Sequence, residues 1–214
     1  MGTCDPVTVF QIYGGTPGKV VSNNNPALLD TGPAPPMDPS MSPAVFPVGI
    51  GKNSYETFLR LAFVDPTAAI SAIKVYYSGA GLPTGVALKY KASWSASAYS
   101  TPTSATSSVA TTSIPTTSPA SANVSVGNSL TYSQTSTFLT DYIVFQAQTT
   151  SVAVAASITI PITIAYTVGA TPATMTFNLS MSTSTNTTTA AFIDISGIFM
   201  DFVDITGILP DEEI

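Results

Sequence analysis

A hydrophobic-hydrophobic-Asp-Thr-Gly phrase is the part of this sequence that could most directly do chemistry. Residues 27–36 read ALLDTGPAPP, and Asp30-Thr31-Gly32 has the order in which aspartic proteases present a catalytic carboxylate. Such a site needs the aspartate on a tight loop between strands, with a small residue after the glycine. Here Pro33 follows Gly32, and further prolines follow Pro33. The phrase therefore favours the start of a proline-stiffened segment over a protease site.

Other enzymatic chemistry finds few candidate residues. The chain contains no histidine, which removes the commonest general base, proton shuttle and metal ligand. Cys4 is the single cysteine, so neither an intrachain disulfide nor a thiolate metal cluster can form. No glycine-rich phosphate loop follows a predicted strand. The sequence thus predicts a protein that is not an enzyme and holds no cofactor.

The C-terminal region gathers six acidic residues and leaves two interpretations open. Carboxylates are Ca²⁺ ligands, but no Asp-x-Asp-x-Asp-Gly spacing occurs among them. The second interpretation is a solvated acidic tail, which could dock on a basic patch of a neighbouring subunit. The six residues are Asp194, Asp201, Asp204, Asp211, Glu212 and Glu213.

Three Asn-x-Ser/Thr sequons begin at Asn123, Asn178 and Asn186. In a chain so rich in Ser and Thr such triplets arise by chance. We interpret them as ordinary polar positions, with Asn178 on the outer face of a strand.

The overall composition favours assembly. Apolar residues make up 44% of the chain and charged residues only 8%, against the usual share of about a quarter. All six basic residues precede residue 92, and nothing resembles the clustered Lys and Arg of a nucleic-acid-binding surface. A chain with so few charges avoids aggregation by folding tightly or by being covered in an assembly, and we favour assembly.

Strict alternation of apolar residues with Thr and other small residues predicts strands and argues against a membrane-spanning helix. In SITIPITIAYTVG (157–169) every isoleucine falls on one face of a strand, whereas a helix would scatter them. This strand and ATMTFNLSM (173–181) predict a long hairpin. A further strand is predicted at residues 7–13, and three more within residues 57–94 form a sheet with one face exposed to water. Residues 140–148 are predicted to form a central strand. Residues 93–140 are rich in Ser and Thr and suit half-buried strands.

Residues 26–49 are predicted to form an extended arm. Seven prolines lie between residues 26 and 47, and each fixes its own φ angle and drives the preceding residue toward extended geometry. The apolar residues of this arm would anchor it on a partner. They are Leu28, Leu29, Met37, Met41, Val45 and Phe46.

The predicted fold class is all-β. We expect an antiparallel β-sandwich, jelly-roll or Ig-like, with an extended Pro-rich N-terminal arm and an acidic C-terminal tail. The predicted organisation has four parts: an N-terminal strand and turn (1–25), the arm (26–49), the sandwich (50–185) and the acidic extension (186–214).

Residues 55–170 resemble β-rich virion proteins of tailed bacteriophages. The resemblance is carried by FLRLAFVDPTAAISAIKVYYSG (58–79), the strand with Trp94, and TDYIVFQAQTT (140–150). The arm and the acidic tail depart from that pattern. The resemblance implies a non-enzymatic particle component, such as a capsid cement (decoration) protein or a minor head protein.

We predict a virion cement protein that oligomerises and binds a major capsid protein. The oligomer expected first is a trimer. No nucleic acid or membrane partner is expected. The alternatives are a secreted or cell-surface subunit of a filament, surface layer or adhesin, and a receptor-binding module of a phage fibre. MGTCDPVTV shows no basic or apolar leader region, so we expect assembly in the host cytoplasm.

The predicted partner contacts lie in residues 26–49 and 192–214, and deleting either is expected to leave the sandwich folded. In the arm the contacts are the six apolar residues above. In the tail they are Phe199, Phe202, Asp211, Glu212 and Glu213.

Overall fold

The computed structural model describes residues 7–13, 16–31, 46–64, 66–91, 98–104, 110–124, 135 and 138–185. The regular elements in these ranges are β-strands, which confirms the predicted all-β class. They are β1 (Val7–Tyr13), β2 (Thr16–Val21), β3 (Ala27–Leu28), β4 (Val48–Gly49), β5 (Thr57–Phe63), β6 (Ile70–Tyr77), β7 (Val86–Tyr90), β8 (Thr112–Ser113), β9 (Phe138–Leu139), β10 (Ile143–Thr149), β11 (Ala156–Val168) and β12 (Thr171–Ser184).

The strands form two sheets. Sheet A has the order β2-β1-β5-β10-β7-β8, with β9 also paired to β5. Sheet B has the order β3-β12-β11-β6, with β4 also paired to β12. The pairings are antiparallel except that β3 and β4 run parallel to β12. β10 lies between β5 and β7, as predicted for a central strand. β2 was not predicted.

β11 and β12 form the predicted long hairpin, paired from Ala156 to Thr183 at one end and from Val168 to Thr171 at the other. Ile160, Ile162 and Ile164 share one face and are fully buried. Gly169 makes the turn with a φ of 59°, a left-handed conformation that favours glycine. The alternation of apolar and hydroxyl residues therefore places this hairpin with its isoleucines toward the core.

A single apolar core lies between the two sheets and confirms the sandwich. Leu59, Leu61 and Phe63 of β5 project from sheet A and are fully buried, as their alternation predicts. From sheet B, the ring of Tyr166 meets that of Phe63 in a T-shaped, edge-to-face contact, with centroids 5.3 Å apart. The same core takes in Phe177 of β12.

The outer face of sheet A is partly covered, which corrects the expectation of a face open to water. Phe58 is 1% exposed and packs with Tyr142 and Val144 in a second apolar cluster. Tyr99, from the segment 98–104, lies over it with its ring centroid 5.0 Å from that of Phe58. The Ser/Thr-rich region thus supplies a lid for this face.

One open side of the sandwich is closed by β3. The N–H of Leu29 donates to the carbonyl of Ser180 in sheet B at 2.9 Å. On the other side, the N–H of Leu28 donates to Oε1 of Gln11 in sheet A at 3.2 Å, and the Thr57 hydroxyl donates to the carbonyl of Leu28 at 2.7 Å. The segment therefore ties the two sheets together.

These contacts make the two ends of the predicted arm, residues 26–49, part of the sandwich. β1 and β2 belong to sheet A, and β3 and β4 belong to sheet B, so the sandwich extends before residue 50. The expectation that residues 26–49 can be deleted without unfolding is inconsistent with this arrangement, because the deletion would remove two paired strands and the fully buried Leu29 and Val48.

The opposite side is closed by residues 110–124. β8 pairs with β7 in sheet A, and the N–H of Tyr77 in β6 donates to the carbonyl of Pro115 at 2.8 Å. The side-chain amide of Asn123 pairs with the backbone of Val75, accepting from its N–H at 2.7 Å and donating to its carbonyl at 2.9 Å. Asn123 is 7% exposed, and this pairing caps the edge of β6.

Candidate interaction surfaces

Asp30 and Thr31 belong to the segment that closes the sandwich. The carbonyl of Asp30 accepts from the N–H of Tyr55 at 2.8 Å, and Asp30 is 8% exposed. The Thr31 hydroxyl donates to the carbonyl of Pro47 at 3.1 Å. Gly32 lies outside the described residues. These contacts give the first two residues of the Asp-Thr-Gly phrase a structural role.

The two ends of the proline-rich stretch 32–45 are fixed side by side. The N–H of Thr31 donates to the carbonyl of Phe46 at 3.2 Å. Thr31 follows β3 and Phe46 precedes β4, and both strands pair with β12. The sandwich therefore holds both ends of this stretch on the same edge of sheet B.

The predicted partner-binding residues are mostly outside the described ranges. Leu28 and Leu29 are 6% and 0% exposed, so both contact the chain's own core, and Phe46 is half-buried. The partner contacts of the others stay predictions. Those residues are Met37, Met41, Val45, Phe199, Phe202, Asp211, Glu212 and Glu213, and the acidic residues considered as Ca²⁺ ligands lie outside the described ranges with them.

The exposed surface carries very little charge. Among the described residues, Lys52 is the one charged residue that is exposed, while the other lysines and Arg60 are half-buried. Ser or Thr stands at about half of the exposed positions. Asp30, Glu56 and Asp141 are buried, with exposures of 8%, 1% and 5%. The described part of the molecule therefore presents hydroxyls and small side chains to its surroundings.

Other basic side chains are held against the protein. Arg60 donates from Nε to the carbonyl of Thr140 at 2.6 Å, and its guanidinium stacks 4.7 Å from the ring centroid of Tyr142. Lys19 donates from Nζ to the carbonyl of Pro26 at 2.7 Å, and burial lowers the pKa of Lys19 below its usual 10.5. Both cations therefore support local packing.

Large exposed apolar side chains concentrate at the two ends of the sandwich. β10 runs antiparallel to β5, with Ile143 opposite Leu59, so the turn after β10 and the end of β5 lie at opposite ends. We call them the Val152 end (residues 51–52, 85 and 150–155) and the Val64 end (residues 64, 139 and 169–170). Val152 and Val154 are 62% and 63% exposed at the first, and Val64 and Leu139 are 51% and 42% exposed at the second. Val20, 51% exposed, lies on β2 away from both ends.

Three clefts open at or beside the Val152 end. One, of about 210 Å³, is lined by Lys52, Tyr55 and Pro47. An apolar cleft of about 220 Å³ lies between β6 and β7 and is lined by Leu82 and Val86 among others. A shallower depression of about 360 Å³ is bordered by Ala155 and the end of β12. This end is therefore recessed as well as apolar.

The four apolar residues at the ends were not predicted as contact residues. The phrase SVAVAAS alternates like a buried strand, so sequence alone does not show that Val152 and Val154 point outward.

Neither a metal-binding cluster nor a membrane-spanning helix occurs in the described part of the chain. The described residues contain no group of three or more His, Cys, Asp or Glu that could hold a metal ion. The same residues include no helix that is long and apolar enough to cross a membrane.

Comparison with known proteins returns structural likeness only. No family model matches the chain, and no curated protein matches it. The CooA pilin subunit from enterotoxigenic Escherichia coli is similar over 84% of this chain and 99% of the pilin, with 11% identity and a TM-score of 0.36. A family 123 glycoside hydrolase from Clostridium perfringens is similar over 65% of this chain, with 10% identity and a TM-score of 0.27. This chain spans 22% of the hydrolase chain. Neither likeness assigns a function.

Proposed function

We propose that this chain is a non-enzymatic structural subunit of a multi-copy assembly, with a virion cement or decoration protein as the first candidate. The observation that carries the proposal is the exposed surface: Lys52 is the one exposed charged residue in the described ranges, the other lysines and Arg60 are half-buried, and large apolar side chains lie exposed at both ends of the sandwich.

Such a surface suits a protein that is covered by neighbours. Solvent-exposed charges keep independent soluble domains apart and in solution. Contiguous exposed apolar surface is typical of protein–protein contact sites. The hydroxyl-rich remainder stays compatible with water without adding charge. A subunit packed among copies of itself or on a shell would have this distribution.

The partners in this proposal are other copies of the chain and a major capsid protein. The predicted contact segments are residues 26–49 and 192–214. β3 and β4 pair residues 27–28 and 48–49 with β12 in sheet B, so within the arm we propose residues 32–45 as the capsid contact. The trimer remains part of this proposal.

The second candidate is a secreted or cell-surface subunit, and the outer face of sheet B supports it. The exposed Thr159 lies opposite Ser180, and Thr174 and Thr176 of β12 are exposed on the same face, so the hairpin presents a row of hydroxyls. A neutral hydroxyl face is compatible with exposure outside the cell, where filaments and surface layers function. Under this candidate the chain would accumulate in the cell envelope or medium.

Fractionation of the source material separates the two candidates. Particles purified by density, cell envelope, cytosol and medium would each be quantified for tryptic peptides of this chain by mass spectrometry. Enrichment in the particles supports the cement role. Recovery in the envelope or medium, with none in the particles, supports the surface subunit. Free cytosolic protein alone contradicts both candidates.

A further inference from the structure

We infer that the acidic segment 186–214 binds the outer face of sheet A of its own chain. The contact lies within one copy, so it goes beyond the proposed subunit role and does not depend on it. The surface that receives the segment is defined by three cations and the apolar groups beside them.

The exposed and half-buried charges of the described residues are all positive. Asp30, Glu56 and Asp141, the acidic residues in these ranges, are buried. Segment 186–214 carries six acidic residues and no basic one. The six basic residues of the chain all lie in the described part, and none of them is paired with a carboxylate there. They are Lys19, Lys52, Arg60, Lys74, Lys89 and Lys91.

Three of these cations share the outer face of sheet A. Lys89 and Lys91 flank Tyr90, which enters the core between the sheets, so both lysines project from the outer face. Arg60 projects from the same face, because its two neighbours in β5 are core residues. β10 lies between β5 and β7, so these two strands are about 10 Å apart. The three cations are therefore neighbours on one face.

The other three cations are dispersed over the molecule. Lys74 projects from the outer face of sheet B, because Ile73 and Val75 on either side of it are fully buried. Lys52 lies in the turn after β4, and Lys19 donates to the carbonyl of Pro26 at 2.7 Å. The outer face of sheet A therefore holds the greatest concentration of positive charge in the described ranges.

The same face carries apolar groups beside its cations. Phe10 of β1 lies opposite Arg60, and Val20 of β2 lies opposite Phe10. Phe10 is half-buried and Val20 is 51% exposed. Residues 198–204 of the acidic segment read IFMDFVD, with apolar residues beside both aspartates. The face therefore matches the segment in charge and in apolar content.

The place where the segment begins allows it to reach this face. β12 ends at Ser184, which pairs with β4 in sheet B. From Thr185 to Asp194 the chain can span about 30 Å when extended, whereas the two sheets of a sandwich are about 10 Å apart. The acidic residues from Asp194 onward can therefore reach the outer face of sheet A.

The tether favours the copy to which the segment belongs. A segment joined to its binding surface by a short tether meets that surface at an effective concentration of about a millimolar. A second copy meets the surface only at the concentration of the protein itself. In a dilute solution the contact therefore forms within one chain, and a partner of the segment has to displace it from sheet A.

Zero-length crosslinking of the full-length chain tests this contact. A carbodiimide joins a carboxylate to a lysine amine that touches it, and mass spectrometry of chymotryptic peptides identifies both. Crosslinks from residues 194–213 to Lys89 and Lys91 should be about tenfold or more as abundant as those to Lys52 and Lys74. Lys52 is the exposed lysine, so it would dominate an unspecific reaction. The preference should disappear in about 1 M salt, where screening acts within about 3 Å.

Mixing unlabelled and isotope-labelled chains before crosslinking separates contacts within a chain from contacts between chains. In a dilute mixture the crosslinked pairs should be wholly labelled or wholly unlabelled. Mixed pairs would identify a contact between copies.

A matched pair of double variants tests the receiving face. Lys89→Gln with Lys91→Gln removes two charges from it, and Lys52→Gln with Lys74→Gln removes the same charge elsewhere. Cleavage by chymotrypsin follows the population of unbound segment, so the first pair should speed cleavage within residues 198–204 about fivefold. The second pair should leave the rate unchanged. Circular dichroism would confirm that both variants are folded.

Four results would overturn the inference. They are no crosslink from the segment to Lys89 or Lys91, equal crosslinking of all the lysines, crosslinks found only in mixed pairs, and equal cleavage rates in the two double variants. The crosslinking needs no substitution, so it decides the matter even if a variant fails to fold. Copy number in particles is measured independently, so loss of this contact leaves the proposed subunit role to be judged on its own.

Discussion

The proline-rich stretch 32–45 provides the sharpest test of how the sandwich is closed. Its two ends are joined by the hydrogen bond from the N–H of Thr31 to the carbonyl of Phe46 at 3.2 Å. A four-residue Gly-Ser linker can span that gap. Replacing residues 32–45 with such a linker should therefore leave β3 and β4 in place on β12.

The expected effect on stability follows from loop closure. Shortening the loop from fourteen residues to four changes the closure free energy by (3/2)RT ln(14/4), or about 1 kcal/mol in favour of the folded state. For a chain of this size that is a rise of roughly 2–4 °C in melting temperature. Truncating Leu29, which is fully buried just before this stretch, should instead lower the free energy of unfolding.

Leu29→Ala is the matched contrast. Leu29 is fully buried in the core between the sheets, and truncating a buried leucine costs about 2–5 kcal/mol. Its melting temperature should fall by several degrees or more.

Urea unfolding and thermal melts, followed by circular dichroism, would measure both changes on the full chain. A loss of more than about 2 kcal/mol on linker replacement would refute the reasoning, because closure entropy has the opposite sign. A neutral Leu29→Ala would show that β3 does not close the sandwich.

Three further predictions follow from single contacts. Asn123→Ala should lower the free energy of unfolding by about 2–3 kcal/mol in urea titrations, because it leaves the N–H and carbonyl of Val75 buried without their partner; a loss below about 0.5 kcal/mol would contradict the capping role. Gly85→Ala should unfold or strongly destabilise the chain in thermal melts, because its φ is 79° and a Cβ there would lie 2.5 Å from the backbone nitrogen of Ala153; an unchanged melt would contradict this packing. Burial lowers the pKa of Lys19, so near pH 10 the unfolded chain binds more protons than the folded chain, and the free energy of unfolding rises with pH up to 10.5. Lys19→Met should remove that rise in urea titrations at several pH values. An unchanged dependence of stability on pH in this variant would refute the prediction.

Much of the sandwich could be predicted because strand alternation is a local signal. Ile160, Ile162 and Ile164 fall on one face whatever the rest of the chain does, and β5, β6 and β7 follow the same rule. β2 was missed because TPGKVV has no alternation and contains Pro17 and Gly18. Its pairing depends on β1 and on a bulge near Ile12.

The closures of the sandwich could not be predicted because they depend on contacts between distant residues. Leu28 resembles an exposed anchor in a proline-rich stretch, yet its side chain is buried. Its backbone N–H donates to Gln11, and its carbonyl accepts from Thr57. Asn123 resembles a chance sequon, yet its amide pairs with Val75, which lies 48 residues earlier.

The candidate surface was predicted only in its general character. Low charge indicated assembly, and among the described residues Lys52 is the one exposed charged residue. The residues at the ends could not be identified, because Val152 and Val64 occur in phrases that read like the buried strands around them. Exposure at an end is a property of the folded sandwich.

The copy number of this chain relative to the main shell protein of its purified assembly tests the central claim most directly. Isotope-labelled tryptic peptides covering residues 53–60 and 61–74 would give the ratio by quantitative mass spectrometry. A structural subunit that covers a lattice should be present at close to one copy per shell protein, or at a fixed simple fraction of it. Absence, or a trace amount that varies between preparations, would contradict the structural role.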